Sequence, residues 1–503
     1  MTGVQRSSAG RSPSERERER PDETVTSEDE VMGRVGNLVG RSSPFNEARD
    51  PVNEAMIRHW CDIIDDHNPV YTDPAFAAAS VFGGIVAPPA MLDVWDKPGL
   101  HMVRDPNNPQ SAALTALEEF GFTSTVAVNS ELELARYLRP GEMVHSTLTL
   151  ESVSEEKHTG LGVGHFVTSR LTYLVGDEPV GSVLFRVLKF KPGTGRTAAP
   201  AEGARPGPDP DPALRPRPAI NRDNQYFWDG TRVHELRIQR CNACGEQFFP
   251  PTPRCWSCGS YDMGYRVASG RGTLYSFAVP HYPQANGFRY PVLVGLVELD
   301  EGTRLVSNIV GCARDDLRVG MPLELCWLDS HPAQADGATD AHGAISLPQF
   351  RPQRPPCRET TLRVDEVAVG DTLPLCPIPL TTTLIVGGAL NTLDYFDAHH
   401  DRDMAHQRGS KDLFMNIHTT LGLCQRYVSD WIGPEAVWRA LRVRLGAPNY
   451  PFDTMTMTGS VTAVDGSTGA VTIGFRGRNE LGDHVSGTVE LVLPDGSDHG
   501  TVR

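Results

Sequence analysis

Hydrophobic and polar positions alternate along the chain in a way that divides it into three globular segments. Residues 29–195 begin with two helix-like stretches, NEAMIRHWCDIIDD and DPAFAAAS, and continue with alternating runs such as GHFVTSRLTYLVG. A period of two predicts β-strands, so this order predicts an α+β layout in which an antiparallel sheet wraps around one central helix. Residues 355–503 repeat the order weakly. The run TLRVDEVAVGDTLPLCPIPLTTTLIVGGA is predicted to be β-structure, DLFMNIHTTLGLCQRYVSDW a helix, and the remainder strands.

The segment between them, residues 217–354, has a different pattern. A short helix (NQYFWDGTRVHEL) precedes short strands with turn signals, which is typical of a small β-barrel. Residues 196–216 are dense in Pro, Gly and Ala and are predicted to be an interdomain linker. Residues 1–28 lack apolar periodicity and are predicted to be a disordered tail. The insert HPAQADGATDAHGA is predicted to be a mobile loop.

Composition narrows the class of protein. The chain has 503 residues, too many for one hydrophobic core, and a formal net charge of −16. That charge argues against a nucleic-acid backbone as the main partner, although local Arg and Lys residues can still bind a small anion. No run of 18 apolar residues occurs, and the N-terminus lacks the apolar stretch of a secretory signal. A cytoplasmic protein is therefore expected.

Four of the ten cysteines form a cluster. Two C-x2-C pairs, separated by ten residues, place four thiolates on two tight turns, and such turns can close a tetrahedron around Zn²⁺. A site with four protein ligands has no open position, so the sequence predicts a structural zinc, with iron as the alternative. The ligands are Cys241, Cys244, Cys255 and Cys258.

The middle segment resembles a known family. Phe227-Trp228, the four cysteines, GRGTLYSF and PVLVGLVELDEG are similar to the OB-fold proteins with a rubredoxin-like zinc ribbon that accompany thiolases and other acyl-CoA enzymes. The resemblance implies that this module binds CoA or docks a thiolase-type partner. A nucleic-acid-binding OB fold and a structural spacer are the alternatives, and few basic residues interleave with aromatic ones to support the first.

A second resemblance lies in the N-terminal segment. Asp66, Asn68 and Pro69, with Ala77 further on, match the Asp-x-Asn-Pro-x-His motif and small residue of MaoC-type, R-specific enoyl-CoA hydratases, but Tyr71 stands where the His belongs. That family has the hotdog fold and hydrates an enoyl thioester with a carboxylate and an imidazole. The resemblance therefore implies a hotdog domain that is catalytically impaired. The alternative is that these residues only cap a helix and form a turn.

The same spacing recurs in the C-terminal segment. Asp394 and His399 are five positions apart and Ala405 follows six after the His, whereas the Asn-Pro pair is missing. Positions five apart on a regular helix point about 140° away from each other, so the chain must bend if both are to hold one water molecule. Two other interpretations stay open here: a metal site built on His399, His400, Asp401 and Asp403, or a solvated loop.

The stretch that follows carries the strongest likeness. KDLFMNIHTTLGLCQRYVSDW resembles the central hotdog helix of the small MaoC-like subunit of actinobacterial steroid side-chain hydratases, and the N-terminal hotdog with its zinc-ribbon OB module resembles their large subunit. The chain therefore looks like the two subunits fused: two hotdog domains flanking a zinc ribbon and an OB barrel. The helix start, near Asn416 and Ile417, is expected to direct backbone N–H groups at the thioester oxygen.

The resemblance implies one active site between the two hotdogs, hydration of a steroid-CoA enoyl side chain, and a thiolase-like aldolase docked on the OB module. His399 is expected to be the general base or to relay the proton, and Asp394 to orient the water. A homo-oligomer is also expected. A noncatalytic acyl-CoA scaffold for a thiolase, and a dehydratase or thioesterase that uses the same carboxylate, are the competing functions.

Overall fold

The computed structural model describes residues 27–101, 105–195, 211–330 and 345–494. The predicted tail, except its last two residues, most of the predicted linker and the whole HPAQADGATDAHGA insert lie outside these ranges. The last two residues of the predicted tail begin a helix.

In the N-terminal segment, five described helices and the short strand β1 precede a meander of strands. Asn53 caps the second helix by accepting a hydrogen bond from the Met56 N–H, and Asp65, with φ 59°, ends that helix. The elements are α1 (Ser27–Gly36), β1 (Asn46–Glu47), α2 (Glu54–Ile64), α3 (Pro69–Thr72), α4 (Pro74–Ala79), α5 (Pro109–Glu119), β2 (Ser124–Leu134), β3 (Val144–Val153), β4 (Lys157–His158), β5 (Val163–Val175) and β6 (Glu178–Lys191).

The central helix expected in this segment is not a regular α-helix. A single 3-10 turn, Pro89–Met91, lies at that place and is followed by further turns. Its hydrogen bonds join residues three apart, from the Met91 N–H to the Pro88 carbonyl and from the Val94 N–H to the Met91 carbonyl. Two consecutive prolines offer no N–H donors, which disfavours an α-helical ladder there.

The middle segment contains the predicted zinc ribbon and barrel. A three-stranded sheet in the order β8-β7-β9 carries the cysteines, and the next five strands close into a barrel in the order β10-β11-β12-β14-β13. The elements are α6 (Gln225–Thr231), β7 (Arg237–Cys241), β8 (Gln247–Phe248), β9 (Met263–Val267), β10 (Arg271–Ala278), β11 (Val294–Leu299), β12 (Arg304–Ile309), β13 (Pro322–Ser330) and β14 (Ile345–Pro352).

The C-terminal segment contains the predicted long helix, and every residue of that helix except Trp431 is buried. Part of the predicted β run is wrong, because TTLIVGGALN forms a helix that Thr381 caps. The elements are β15 (Thr372–Pro379), α7 (Thr382–Asn391), α8 (Arg402–Gln407), α9 (Ile417–Ile432), β16 (Val437–Leu445), β17 (Thr454–Asp465), β18 (Ala470–Asn479) and β19 (Gly482–Val492).

The two outer segments share one sheet. Strands β2 and β16 pair antiparallel, with Leu132 opposite Leu441, and this joins the two meanders in the order β1-β3-β5-β6-β2-β16-β19-β18-β17-β15. Helix α9 packs closely on α2, since a Cβ at Gly422 would lie 2.7 Å from the Trp60 ring. One hydrophobic core therefore contains residues from both segments. Among the described residues, no helix is both long and apolar enough to cross a membrane.

Candidate active site

The predicted pair of the C-terminal segment converges. Nε2 of His399 lies 3.8 Å from Oδ2 of Asp394, and both side chains are largely buried. The bend that the sequence lacked comes from the end of α7. Leu393 takes a left-handed conformation, with φ 55°, and Asp397–His399 form a 3-10 turn after it. A separation of 3.8 Å is too long for a direct hydrogen bond, but one water molecule beside the two atoms can bond to both at about 2.8 Å.

The start of α9 holds Asp394 in place. Asn416 is the N-cap of the helix, and its side-chain oxygen accepts from the Thr419 N–H at 3.0 Å. Its Nδ2 donates to Oδ2 of Asp394 at 3.1 Å and to the Thr392 hydroxyl at 2.8 Å. The Asn416 side chain therefore positions the carboxylate. The N–H groups of Ile417 and its neighbour in the first turn have no hydrogen bond to the part of the chain that the structure describes.

The hydrogen bonds of His399 determine which of its nitrogens is free. Nδ1 lies 2.7 Å from the Phe414 carbonyl, which can only accept, so Nδ1 carries the hydrogen of the neutral ring and Nε2 keeps its lone pair toward Asp394. Burial lowers the pKa of His399, and the nearby Asp394 carboxylate only partly offsets this. Burial opposes ionisation of Asp394, but the imidazoles of His399 and His418 outweigh it and lower the pKa of Asp394. The pair therefore has a neutral base beside a carboxylate at neutral pH.

The corresponding place in the N-terminal segment is closed by α9. Asp66 accepts from the Asn68 N–H at 3.0 Å, and Asn68 caps α3, so the motif residues do form a cap and turn. The Gln425 side chain lies against the rest of the motif. Its Nε2 is 3.3 Å from both the Asp66 carboxylate and the Tyr71 hydroxyl, and its Oε1 accepts from the Ala90 N–H at 2.8 Å. Gln425 thus contacts the Asp66 carboxylate, the Tyr71 phenol and the Ala90 N–H at the same time.

The environment of Asp66 differs from that of Asp394. The residue is 3% exposed, and burial raises its pKa to about 6 despite the hydrogen bond from the Asn68 N–H. The nearby Asp430 carboxylate raises the pKa further, whereas Arg426 lowers it. Asp66, Asn68 and Tyr71 are therefore brought together as the sequence predicted, but the Asp66 oxygen that would face a water molecule contacts the Gln425 amide instead of an imidazole.

A second imidazole–carboxylate pair lies beside the first and was missed in the sequence. Nδ1 of His418, in the first turn of α9, is 3.2 Å from Oδ2 of Asp93, which follows the 3-10 turn of the N-terminal segment. Both side chains are 7% exposed. Burial alone would raise the pKa of Asp93, but His418 lowers it to about 2, with Lys97 adding a smaller contribution. The two residues lie more than 300 positions apart, so no local motif indicates the pair.

The remaining polar residues of HHDRD have other roles. The His400 ring bonds the Tyr395 carbonyl at 3.2 Å, and Asp401 caps α8 by accepting from the Met404 N–H. Within the described ranges, the four cysteines are the one group of metal-ligating side chains found within 4.8 Å of one another. The structure therefore does not gather the HHDRD residues into a metal site.

The four cysteines fit a zinc ion. The Sγ atoms of Cys241 and Cys258, and those of Cys244 and Cys255, are 3.6 Å apart. A tetrahedron with Zn–S bonds of about 2.3 Å has edges of about 3.8 Å, which matches this spacing. With four protein ligands, a zinc ion here would join β7 to the two turns of the ribbon and would have a structural role.

Three family profiles match the chain. The dehydratase domain region of FAS1-like proteins matches residues 37–182, the rubredoxin-like zinc ribbon domain of ChsH2 matches 228–264, and the C-terminal OB-fold domain of ChsH2 matches 265–328. These ranges fall on the N-terminal sheet, the cysteine ribbon and the barrel described above.

Curated relatives match the chain over most of their own length. The alpha subunit of the 3-oxo-4,17-pregnadiene-20-carboxyl-CoA hydratase of Mycobacterium tuberculosis is 41% identical over 282 residues, which is 56% of this chain and 88% of the relative. The beta subunit is 51% identical over 127 residues, 25% of this chain and 97% of the relative. The benzoylsuccinyl-CoA thiolase subunit BbsA of Thauera aromatica is 34% identical over 80 residues, 16% of this chain and 55% of the relative.

Proposed function

The chain belongs to the family of the 3-oxo-4,17-pregnadiene-20-carboxyl-CoA hydratases, and on this premise we propose that one polypeptide does the work of their alpha and beta subunits. It is an enoyl-CoA hydratase, which adds water across the α,β-double bond of an acyl-CoA thioester. We take both outer segments to be hotdog domains, which pair through β2 and β16 within one chain. The observation that supports this function best is the convergence of Asp394 and His399 beside the start of α9.

The mechanism follows from the positions of these groups. Asp394 and Nε2 of His399 hold one water molecule between them, and Asn416 fixes the carboxylate. His399 accepts a proton from the water as its oxygen bonds to the β-carbon, and Nδ1 stays bonded to the Phe414 carbonyl throughout. The N–H groups of Ile417 and His418 stabilise the negative charge on the thioester oxygen. The proton held by His399 then passes to the α-carbon, so one water molecule is added in total.

Only the C-terminal segment can perform this step. It supplies a sixteen-residue helix whose first turn has free donors, whereas the N-terminal segment has a three-residue turn whose Ala90 N–H is bonded to Gln425. The N-terminal hotdog is therefore catalytically inactive, and one active site serves the two hotdogs. The names of the relatives support an acyl-CoA of the steroid side chain as the substrate.

The zinc ribbon and barrel are proposed to dock a thiolase-like aldolase, which would cleave the hydrated product. Trp256 and Tyr261 of the ribbon are 72% and 74% exposed, and Tyr282 of the barrel is 85% exposed. Large exposed aromatic side chains are typical of interaction surfaces. A thiolase subunit is among the relatives. A CoA substrate fits the cytoplasm as the place of action. A homo-oligomer is also predicted, and light scattering of the purified chain would measure its mass.

Hydration of 3-oxo-4,17-pregnadiene-20-carboxyl-CoA by the purified chain tests the proposal. Asp394→Asn and His399→Gln should each lower kcat by about 10²- to 10⁴-fold, the usual contribution of acid–base catalysis. His400→Gln is the matched control, because it removes the neighbouring imidazole, whose ring bonds only a backbone carbonyl. A wild-type rate in His399→Gln would contradict the site. Release of free CoA without hydration would identify a thioesterase, and binding without turnover by the native chain would identify a scaffold.

A further inference from the structure

The pair formed by Asp93 and His418 connects the inactive N-terminal half to the active site. His418 is the second residue of α9, two positions after Asn416, which bonds Asp394. The closest ring nitrogen of His418, Nδ1, faces Oδ2 of Asp93 at 3.2 Å. Nδ1 of His418 and Oδ1 of Asp93 are both enclosed, and neither makes a hydrogen bond within residues 27–101, 105–195, 211–330 and 345–494, so the two side chains meet in a close imidazole–carboxylate contact.

We propose that Asp93 holds His418 as a positively charged ring beside the first turn of α9, where it stabilises the negative charge that forms on the thioester oxygen during hydration. This inference rests on the proposed hydratase activity and extends it. It makes His418 a positioning and electrostatic residue, and it gives the N-terminal half a direct part in the chemistry through Asp93.

Burial and charge support the cationic state. A carboxylate that is 93% buried is unfavourable unless a cation faces it, and His418 is the cation-forming group within contact distance of Asp93. Lys97 lies near enough to act on Asp93 and Asp394 but is the weaker influence on both. A buried charge acts strongly on its neighbours because little water screens it. A neutral His418 would leave Asp93 without a close counter-charge.

The location decides what the charge acts on. The backbone N–H of His418 is one of the two free donors of the α9 start, so its ring belongs to the same residue that would contact the thioester oxygen. The electrostatic influence of His418 reaches both Asp394 and His399. Several other charged or titratable groups surround it. Two follow the 3-10 turn and three precede α8, and one on β19 contacts Thr420 of α9. They are Asp93, Lys97, Asp394, His399, His400 and His484.

The test compares Asp93→Asn and His418→Gln in the full-length chain, each nearly the shape of the native residue. With 3-oxo-4,17-pregnadiene-20-carboxyl-CoA, each variant should lower kcat by about 10- to 100-fold with a smaller change in KM, because the charge acts on the transition state.

His484→Gln is the matched control. His484 is also a buried imidazole that contacts α9, but its nitrogens bond Thr420 and the Ala447 carbonyl at 2.9 Å and 2.7 Å, and no carboxylate pairs with it. It should lower the melting temperature and leave kcat within twofold. If Asp93→Asn and His418→Gln do the same, with kcat also within twofold of the native chain, the pair is only a structural bridge and the inference is wrong. If the native chain does not hydrate the substrate at all, the proposed function fails instead. If one of these two variants does not fold, the other still tests the inference, because either substitution alone breaks the pair.

Discussion

Asp66→Asn gives the sharpest test of the idea that the N-terminal hotdog is catalytically inactive. Asp66 is buried, its Oδ1 accepts from the Asn68 N–H, and its Oδ2 accepts from Gln425 at 3.3 Å. Burial raises its pKa to about 6, and the groups that contribute to this shift are the Asn68 backbone, Asp430, Arg426 and Gln425, with no imidazole among them. The folded protein therefore holds an ionised Asp66 at neutral pH against the cost of desolvation, and an amide removes that charge.

The size and sign of the effect follow from the pKa. Raising the pKa of a carboxyl from 3.8 to about 6 corresponds to about 3 kcal/mol, at about 1.4 kcal/mol for each pH unit. Because the folded pKa exceeds the unfolded one, the folded chain binds more protons between these values, and its stability falls as pH rises from about 4 to 6. The amide avoids this loss but forfeits the weak bond to Gln425, which is worth about 1 kcal/mol. The variant should be more stable than the native chain by about 2 kcal/mol at pH 7.5 and slightly less stable at pH 4.

Calorimetric melting of the unit that contains α9, at pH 4.5 and pH 7.5, measures this difference. In a unit of this size, each kcal/mol corresponds to about 2–4 °C in melting temperature. The melting temperature of Asp66→Asn minus that of the native chain should therefore be several degrees larger at pH 7.5 than at pH 4.5. Asp62→Asn, an exposed position on α2, is the control and should show no such change. A difference that does not vary with pH would refute the burial argument. A large loss of hydration in Asp66→Asn would show that the N-terminal site is active after all.

Four further outcomes follow from the structure. Because burial lowers the pKa of His399 below 6.5, the acid limb of the kcat profile should be centred below pH 6.5, and a limb above 7 would assign the base elsewhere. Asn416→Ala should lower stability by about 1–2 kcal/mol through loss of the cap, and lower kcat more than tenfold through loss of its bond to Asp394; an unchanged kcat would deny the positioning role. Gln425→Leu should leave three buried polar groups unpaired and cost about 3 kcal/mol or more in unfolding experiments, with kcat retained by the folded protein. Cys255→Ser should release zinc, seen by metal analysis, and abolish aldolase binding while hydration persists.

The fold was predictable wherever one segment carries its own signal. The long apolar run of α9, the alternating strands of both meanders and the two C-x2-C pairs each specify local structure through period or spacing. Helix α7 was misread, because TTTLIV is rich in β-branched residues and its helical state depends on packing in the shared core. The 3-10 turn at Pro89–Met91 was not predicted from the sequence, although the paired prolines disfavour an α-helix there.

The candidate site was predictable only in part. The spacing of Asp394 and His399 is a local property and appears in the sequence, but the bend at Leu393 that brings them together does not. The contacts of Gln425 with Asp66 and Tyr71 span more than 350 positions, and no pattern in a single sequence links such residues. The one visible signal is a glutamine in the middle of a long helix that is predicted to be buried, since a buried amide requires partners.

Helix α9 connects the two halves of the proposed hydratase. Helix α9 faces both halves: its first turn lies beside the proposed active site, and two turns later Gln425 bonds the polar groups around Asp66. If Asp66 and Tyr71 lost Gln425, their buried polar groups would destabilise the same core that fixes the start of α9. In the proposed mechanism the N-terminal half has two roles: its packing holds α9 in place, and its Asp93 carboxylate faces the second residue of α9. A separate C-terminal hotdog would lack both, which is a physical reason for the two halves to share one sheet.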